Sequence, residues 1–176
     1  QVYESGESVS VGNFKVDSKV VAAIAKAASI TGIDFGFLMA MAEKESGFRP
    51  NAQAKTSSAG GLYQFIDDTW AYYVKKYGAK HGITLSDKFD PEASAIMAGY
   101  MASENRSYIA NATKRPKSSI TPTELYLGHF LGGGGAAKLL NANQNDSAVA
   151  VCGTKAANAN KSIFYNKSGA PNTAQD

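Results

Sequence analysis

Only one cysteine, Cys152, occurs in the 176 residues, so no disulfide can close within the chain and the fold must stand on its packed core. Val149, Ala150 and Val151 precede it, which reads as a small buried residue rather than a reactive thiol. Histidine is almost as scarce. Neither His81 nor His129 has a cysteine or another histidine at metal-ligand spacing, so no metal and no other cofactor is expected. No run reaches the roughly 18 apolar residues of a membrane-crossing helix, and no secretory leader is read at the N-terminus. Excess charge is also small: 18 Lys and Arg oppose 15 Asp and Glu, a formal +3 with a pI near 8.9. That bias mildly suits an anionic polymer and falls short of the basic stripe of a nucleic-acid binder. Lys75-Lys76, Lys114-Arg115 and Lys117 read as solvated helix ends and loops.

What is present suits one compact domain, since 44% of residues are hydrophobic and the length can bury a single core. Residues 1–14, rich in Ser, Glu, Gly and Val, read as a linker or N-terminal arm, and residues 15–176 as the folded domain. The periodicity predicts a mainly α chain with little β structure. Asp17 or Ser18 caps a helix with Val20, Val21, Ile24, Ala27 and Ala28 on one face, ended by Thr31-Gly32. Ile66 to Tyr77 reads as one helix, with Asp67 or Asp68 near its start and Trp70, Tyr73 and Val74 at helical spacing. Lys80 to Lys88 is a turn-rich connection holding His81 at the surface. Asp90-Pro91 opens a long helix with Ala93, Ile96, Met97, Tyr100, Met101 and Ile109 toward the core. Thr121-Pro122-Thr123-Glu124 is a capping box, and Gly132 to Gly135 ends its helix in a turn. No strand precedes these glycines and no Gly-Lys-Ser/Thr follows, so they do not read as a nucleotide cradle. The last third reads as short helices joined by Asn-rich turns, in which Phe164 staples the tail and Tyr165 is the ligand candidate.

Chemistry is concentrated around Glu45. Asp34 is placed to cap a helix through Phe35, Leu38, Met41, Ala42 and Glu45, and 3.6 residues per turn puts Glu45 on the apolar stripe. There a carboxyl loses solvation, which disfavours its charged form and readies it to donate a proton. Glu43, about 200° around the same helix, faces water beside Lys44 and is the solvated counterpart. Helix geometry alone leaves open whether Glu45 points into a cleft or frays into solvent. Ser46-Gly47-Phe48-Arg49-Pro50 stops the helix, because Gly47 accepts a left-handed backbone and Pro50 cannot continue. The small, polar stretch Ala52 to Gly61 then suits a loop passing close to a ligand. Tyr63, Gln64 and Phe65 follow with the aromatic faces and the amide that bind sugars.

The order Glu45-Ser46-Gly47-Phe48, Pro50, a small-residue loop, then Gly61-Leu62-Tyr63-Gln64 resembles the lysozyme-like lytic transglycosylases of the soluble type, which are related to goose-type lysozymes. A third family block aligns onto His129-Phe130-Leu131-Gly132-Gly133-Gly134-Gly135 in degraded form. Phe130 stands where the family has a tyrosine, and Tyr126, one helical turn earlier, is the candidate replacement. The resemblance covers roughly residues 17–135. It implies a lysozyme-like helical domain with a substrate cleft, Glu45 as catalytic acid and base, and substrate contacts from Gly61, Gln64, Tyr126 and His129, with Ser57 or Ser58 as the hydroxyl reaching Glu45. A half-buried helix histidine is the equal alternative for His129, and ordinary turn chemistry is the alternative for the loop hydroxyls.

No second acid has an obvious motif-based place beside Glu45. Where two carboxylates are the glycosidase norm, a single one implies substrate assistance. The resemblance therefore implies cleavage of the MurNAc-GlcNAc bond of peptidoglycan strands to a 1,6-anhydromuramyl end, acting at the bacterial cell wall. Two alternatives stay open: a goose-type muramidase, with Asp67 or Asp68 positioning water, and a non-catalytic glycan-binding module. The N-terminal arm is compatible with membership of a phage or secretion assembly.

Overall fold

The computed structural model describes residues 6–142 and 172–173. Cys152, Phe164, Tyr165 and the Asn-rich turns beyond Ala142 lie outside the described residues. Among the described residues α-helices dominate, beside one small two-stranded sheet, and the chain divides after Ser103 into two compact units.

In the first unit, β1 (Ser8–Val11) pairs antiparallel with β2 (Phe14–Asp17), Val11 facing Phe14 across a turn in which Gly12 takes φ 56°. Residues 8–14 of the segment read as an arm thus join this hairpin. Asp17 ends β2 and caps α1 (Ser18–Thr31), its carboxylate accepting from the Lys19 N–H at 2.9 Å. Val20, Ile24 and Ala27 bury the predicted face, and Gly32, at φ 70°, stops the helix. Asp34 caps α2 (Phe35–Ser46), which buries Phe37, Leu38, Met41 and Ala42. Fully burying side chains such as Ile24 or Leu38, both at 0% exposure, contributes about 1.5–3 kcal/mol each.

The helix expected from Ile66 to Tyr77 is shorter and changes type. α3 (Asp67–Tyr73) passes into a π-helical turn, Val74–Gly78, and then a 3-10 turn, Ala79–His81. Backbone crowding accounts for this: the Ile83 N–H donates to the Gly78 carbonyl at 3.0 Å, and a Cβ at position 78 would sit 2.5 Å from the Ile83 oxygen. The wider turn lays Tyr77 flat on Tyr100, with ring centres 4.0 Å apart. His81, expected at the surface, is half-buried, and its Nε2 lies 2.7 Å from the Tyr100 hydroxyl.

α4 (Pro91–Ala112) begins after Asp90, whose carboxylate accepts from the Ala93 N–H. Residues 93–99 are buried all round rather than on one stripe. Small side chains make this possible: a Cβ on Gly99 would meet Thr31 Oγ1 at 2.4 Å, so α1 and α4 touch there.

In the second unit, α5 (Pro122–Asn141) starts with the predicted Thr121–Glu124 capping box. Arg115 grips Glu124 with two bonds of 2.7 and 2.9 Å, and this contact holds the Glu124 carboxyl below its usual range. The glycine run breaks the helix where expected, at a single residue rather than over a four-residue turn, so that two helical stretches meet there. Only Gly132 leaves helical geometry (φ 70°, ψ 163°), a region open essentially to glycine. Gly133 to Gly135 resume the helix. A Cβ on Gly133 would lie 2.9 Å from the Tyr108 ring, so the glycines admit that side chain to the helix backbone.

Candidate active site

Glu45 occupies the last turn of α2. Gly47 ends the helix at φ 59°, its N–H returning to the Glu43 carbonyl at 2.9 Å. Phe48 follows at φ 62°, left-handed geometry that costs a non-glycine residue roughly 1–2 kcal/mol. Burial of the Phe48 ring to 6% exposure, edge-on to Phe14 at 5.5 Å, offsets that cost. Two left-handed residues in succession swing the chain back across the helix end. Glu45 is half-buried, while Glu43 and Lys44 are exposed, so the two glutamates differ in environment as helix geometry predicts.

The neighbour of Glu45 connects the two motifs. Ser46 is 3% exposed. Its Oγ donates to the Leu62 carbonyl at 2.8 Å, with the Ala42 carbonyl farther away at 3.3 Å, and accepts from the Arg49 N–H at 3.0 Å. Arg49 Nε adds a bond to the Ser46 carbonyl at 2.7 Å. The start of the Gly-Leu-Tyr-Gln segment is thereby fixed to the helix end that carries Glu45.

Glycines set the path of the loop. Gly61 has φ 83°, and a Cβ there would strike the Lys88 carbonyl oxygen at 2.5 Å; one on Gly60 would meet the Phe89 ring at 2.7 Å. Gln64 is also left-handed, at φ 54°. Its side-chain nitrogen donates to the Ala52 and Gly61 carbonyls at 3.0 and 2.8 Å, spending both N–H groups on the loop backbone. The half-buried Gln64 thus staples the two ends of the loop together.

Two expected sugar contacts take other places. Tyr63, expected to stack on a sugar, points inward at 3% exposure and donates its hydroxyl to the Leu38 carbonyl at 2.7 Å. Burial pushes its phenol pKa well up. Phe65, also 3% exposed, packs on Trp70 at 5.4 Å, so its ring serves the core. Ser57 and Ser58 are exposed and make turn and capping bonds: Ser57 Oγ accepts from Ala59 N–H, and Ser58 Oγ from Asp67 N–H at the start of α3.

Sequence reasoning missed Lys88. Its side chain is 9% exposed, and Nζ donates to the Ser58 carbonyl at 2.6 Å and Asp67 Oδ1 at 2.8 Å. It clamps the loop to the start of α3. The only sequence signal was an isolated lysine in a turn-rich connection.

In the second unit, Tyr126, His129 and Phe130 share one stretch of α5. Phe130 meets Tyr126 edge-on at 4.6 Å and His129 at 5.3 Å. Tyr126 and His129 are each half-buried. Among the described residues no cluster of three or more His, Cys, Asp or Glu could hold a metal, and no helix is long and apolar enough to cross a membrane.

A family model described as "Transglycosylase SLT domain" matches residues 22–131, a span that holds both motifs and the first part of α5. That span is more than half the chain. The chain therefore belongs to the transglycosylase SLT domain family, whose mainly α, lysozyme-like fold it shares and whose lytic-transglycosylase-type function is directed at the peptidoglycan of the cell wall.

Proposed function

We propose that this chain is a lytic transglycosylase cleaving the β-1,4 bond between N-acetylmuramic acid and N-acetylglucosamine, with Glu45 as both acid and base. The observation that carries the reading is the bond from Ser46 Oγ to the Leu62 carbonyl, which ties the helix end holding a half-buried carboxyl to the glycine loop. In the first step the Glu45 carboxyl gives its proton to the glycosidic oxygen as the C1–O bond breaks. The muramyl N-acetyl oxygen stabilises the positive charge developing at C1, a role that a second carboxylate fills in most glycosidases. Glu45, now a carboxylate, takes the proton of the C6 hydroxyl as that oxygen closes on C1. The product is a 1,6-anhydromuramyl end, and no water is consumed.

The Gly61 backbone and the Gln64 carbonyl oxygen are the proposed contacts on the Glu45 side, since the Gln64 nitrogen is committed to the loop. Tyr126 and His129, which share one stretch of α5, are proposed separately as glycan contacts of the second unit. Ser57 and Ser58 act here only as acceptors in their turns, so each retains a hydroxyl hydrogen to offer to Glu45.

Mass spectrometry of peptidoglycan digests tests the reading. Anhydromuramyl products that disappear with Glu45→Gln are the expected result. Reducing muramyl ends would replace it with hydrolysis, and intact strands with the unaltered chain would replace it with binding alone.

A further inference from the structure

Lys75, Lys76 and Lys80 project from the π turn and the 3-10 turn after it, and all three are exposed. Lys76 and Lys80 stand among tyrosines. Lys76 Nζ lies 5.6 Å from the centre of the Tyr72 ring and 5.5 Å from that of Tyr77; Lys80 Nζ lies 5.4 Å from Tyr77 and 4.7 Å from Tyr100. Tyr77 and Tyr100 are parallel to within 2°, and Tyr72 is 49% exposed. Lysines over ring faces are partly ordered before any ligand arrives, which lowers the entropy cost of using them. That separates this surface from an ordinary solvated helix end.

Lysine charge reaches the edge of the same ring pair: His81 there has its pKa lowered by burial first and then by Lys80 and Lys26. The rings also lead back to the motif segment: Phe65 lies 6.3 Å from Tyr73, and Tyr73 another 6.3 Å from Tyr77.

We propose that this cationic, tyrosine-lined surface docks the carboxylate-bearing peptide stems of peptidoglycan, giving the protein a grip on its polymer beyond the sugar cleft. Charge complementarity selects the occupant, because the patch presents ammonium groups and the stems end in carboxylates. The inference rests on the peptidoglycan-directed function of the family and is independent of the role of Glu45.

The test compares the full chain with the Lys75→Gln, Lys76→Gln, Lys80→Gln triple variant in co-sedimentation with insoluble peptidoglycan in the cold, with circular dichroism confirming the fold. Binding about tenfold weaker is expected, as the loss of several exposed ion pairs predicts, together with salt-sensitive binding of the unaltered chain. On strands stripped of peptide by an amidase the two proteins should bind alike and cleave the glycan at equal rates. Tyr72→Ala, which leaves the charges in place, should weaken binding to intact strands less than the triple variant. Equal affinity for intact strands would overturn the proposal, as would an equal deficit on stripped strands. A deficit seen only while phosphodiester-linked wall polymers remain attached would overturn the choice of stems. Because binding is read directly, Glu45→Gln protein serves equally well, and failure of the Glu45 mechanism would appear separately as residual cleavage.

Discussion

Ser46 Oγ and the Leu62 carbonyl oxygen are 2.8 Å apart although sixteen positions separate them in the chain. This contact gives the Glu-Ser pair a physical meaning: the serine is the bolt between the helix end and the loop, and the glutamate beside it inherits a fixed position.

Ser46→Ala removes that bolt and strands a buried carbonyl. Stability should fall by about 1–3 kcal/mol, read as a lower midpoint in urea, and turnover should fall further than Glu43→Gln lowers it. A variant as stable and active as the parent would deny the bond its role.

Lys88→Met should free the loop from the start of α3. Since Asp67 is 76% exposed at its side chain, its ion pair with Lys88 contributes little, and the bond to the Ser58 carbonyl matters more. Asp67→Asn should therefore be milder than Lys88→Met. Faster amide hydrogen exchange confined to residues 52–61, with turnover about tenfold lower, is the expected signature of the lysine variant.

Gly61→Ala and Gly82→Ala separate backbone strain from collision. Both glycines have positive φ, 83° and 65°, but only at Gly61 would a Cβ strike backbone, while nothing lies within 4 Å at Gly82. Gly82→Ala should cost about 1–2 kcal/mol, and Gly61→Ala distinctly more. Thermal denaturation of the pair measures the difference.

His81 should make the fold sensitive to mild acid. Its pKa is lowered in the folded chain from the ordinary 6.5, so between the two values the unfolded chain binds more protons and stability rises with pH. Its contribution is complete above about pH 6.5 and is lost as pH falls below that. Replacing His81 with Gln should flatten the melting temperature between pH 7 and pH 5.

Legibility in the sequence followed the range of the interaction. The bounds of α2, its Asp34 cap and its Gly47 stop were readable because caps and stops act within a few residues. So was the contrast between Glu43 and Glu45. Tyr63 and Phe65 were misplaced because their partners, Leu38 and Trp70, come from other elements, and an aromatic residue beside a glycine loop reads the same whether it faces sugar or core. Lys88 escaped notice for a similar reason: thirty positions separate it from Ser58, and no local pattern records the bond. The π turn was hidden too, since it depends on Ile83 closing on Gly78.

The near-contact of Gly61 with Lys88 also limits how this domain can be recombined. A designer exchanging substrate loops between relatives would cut at residues 52 and 65, where the chain looks modular. Because the backbone of residues 88–89 forms the floor on which Gly60 and Gly61 rest, the transferable cassette is discontinuous, and a donor loop arriving without its own floor would inherit one shaped for different occupants.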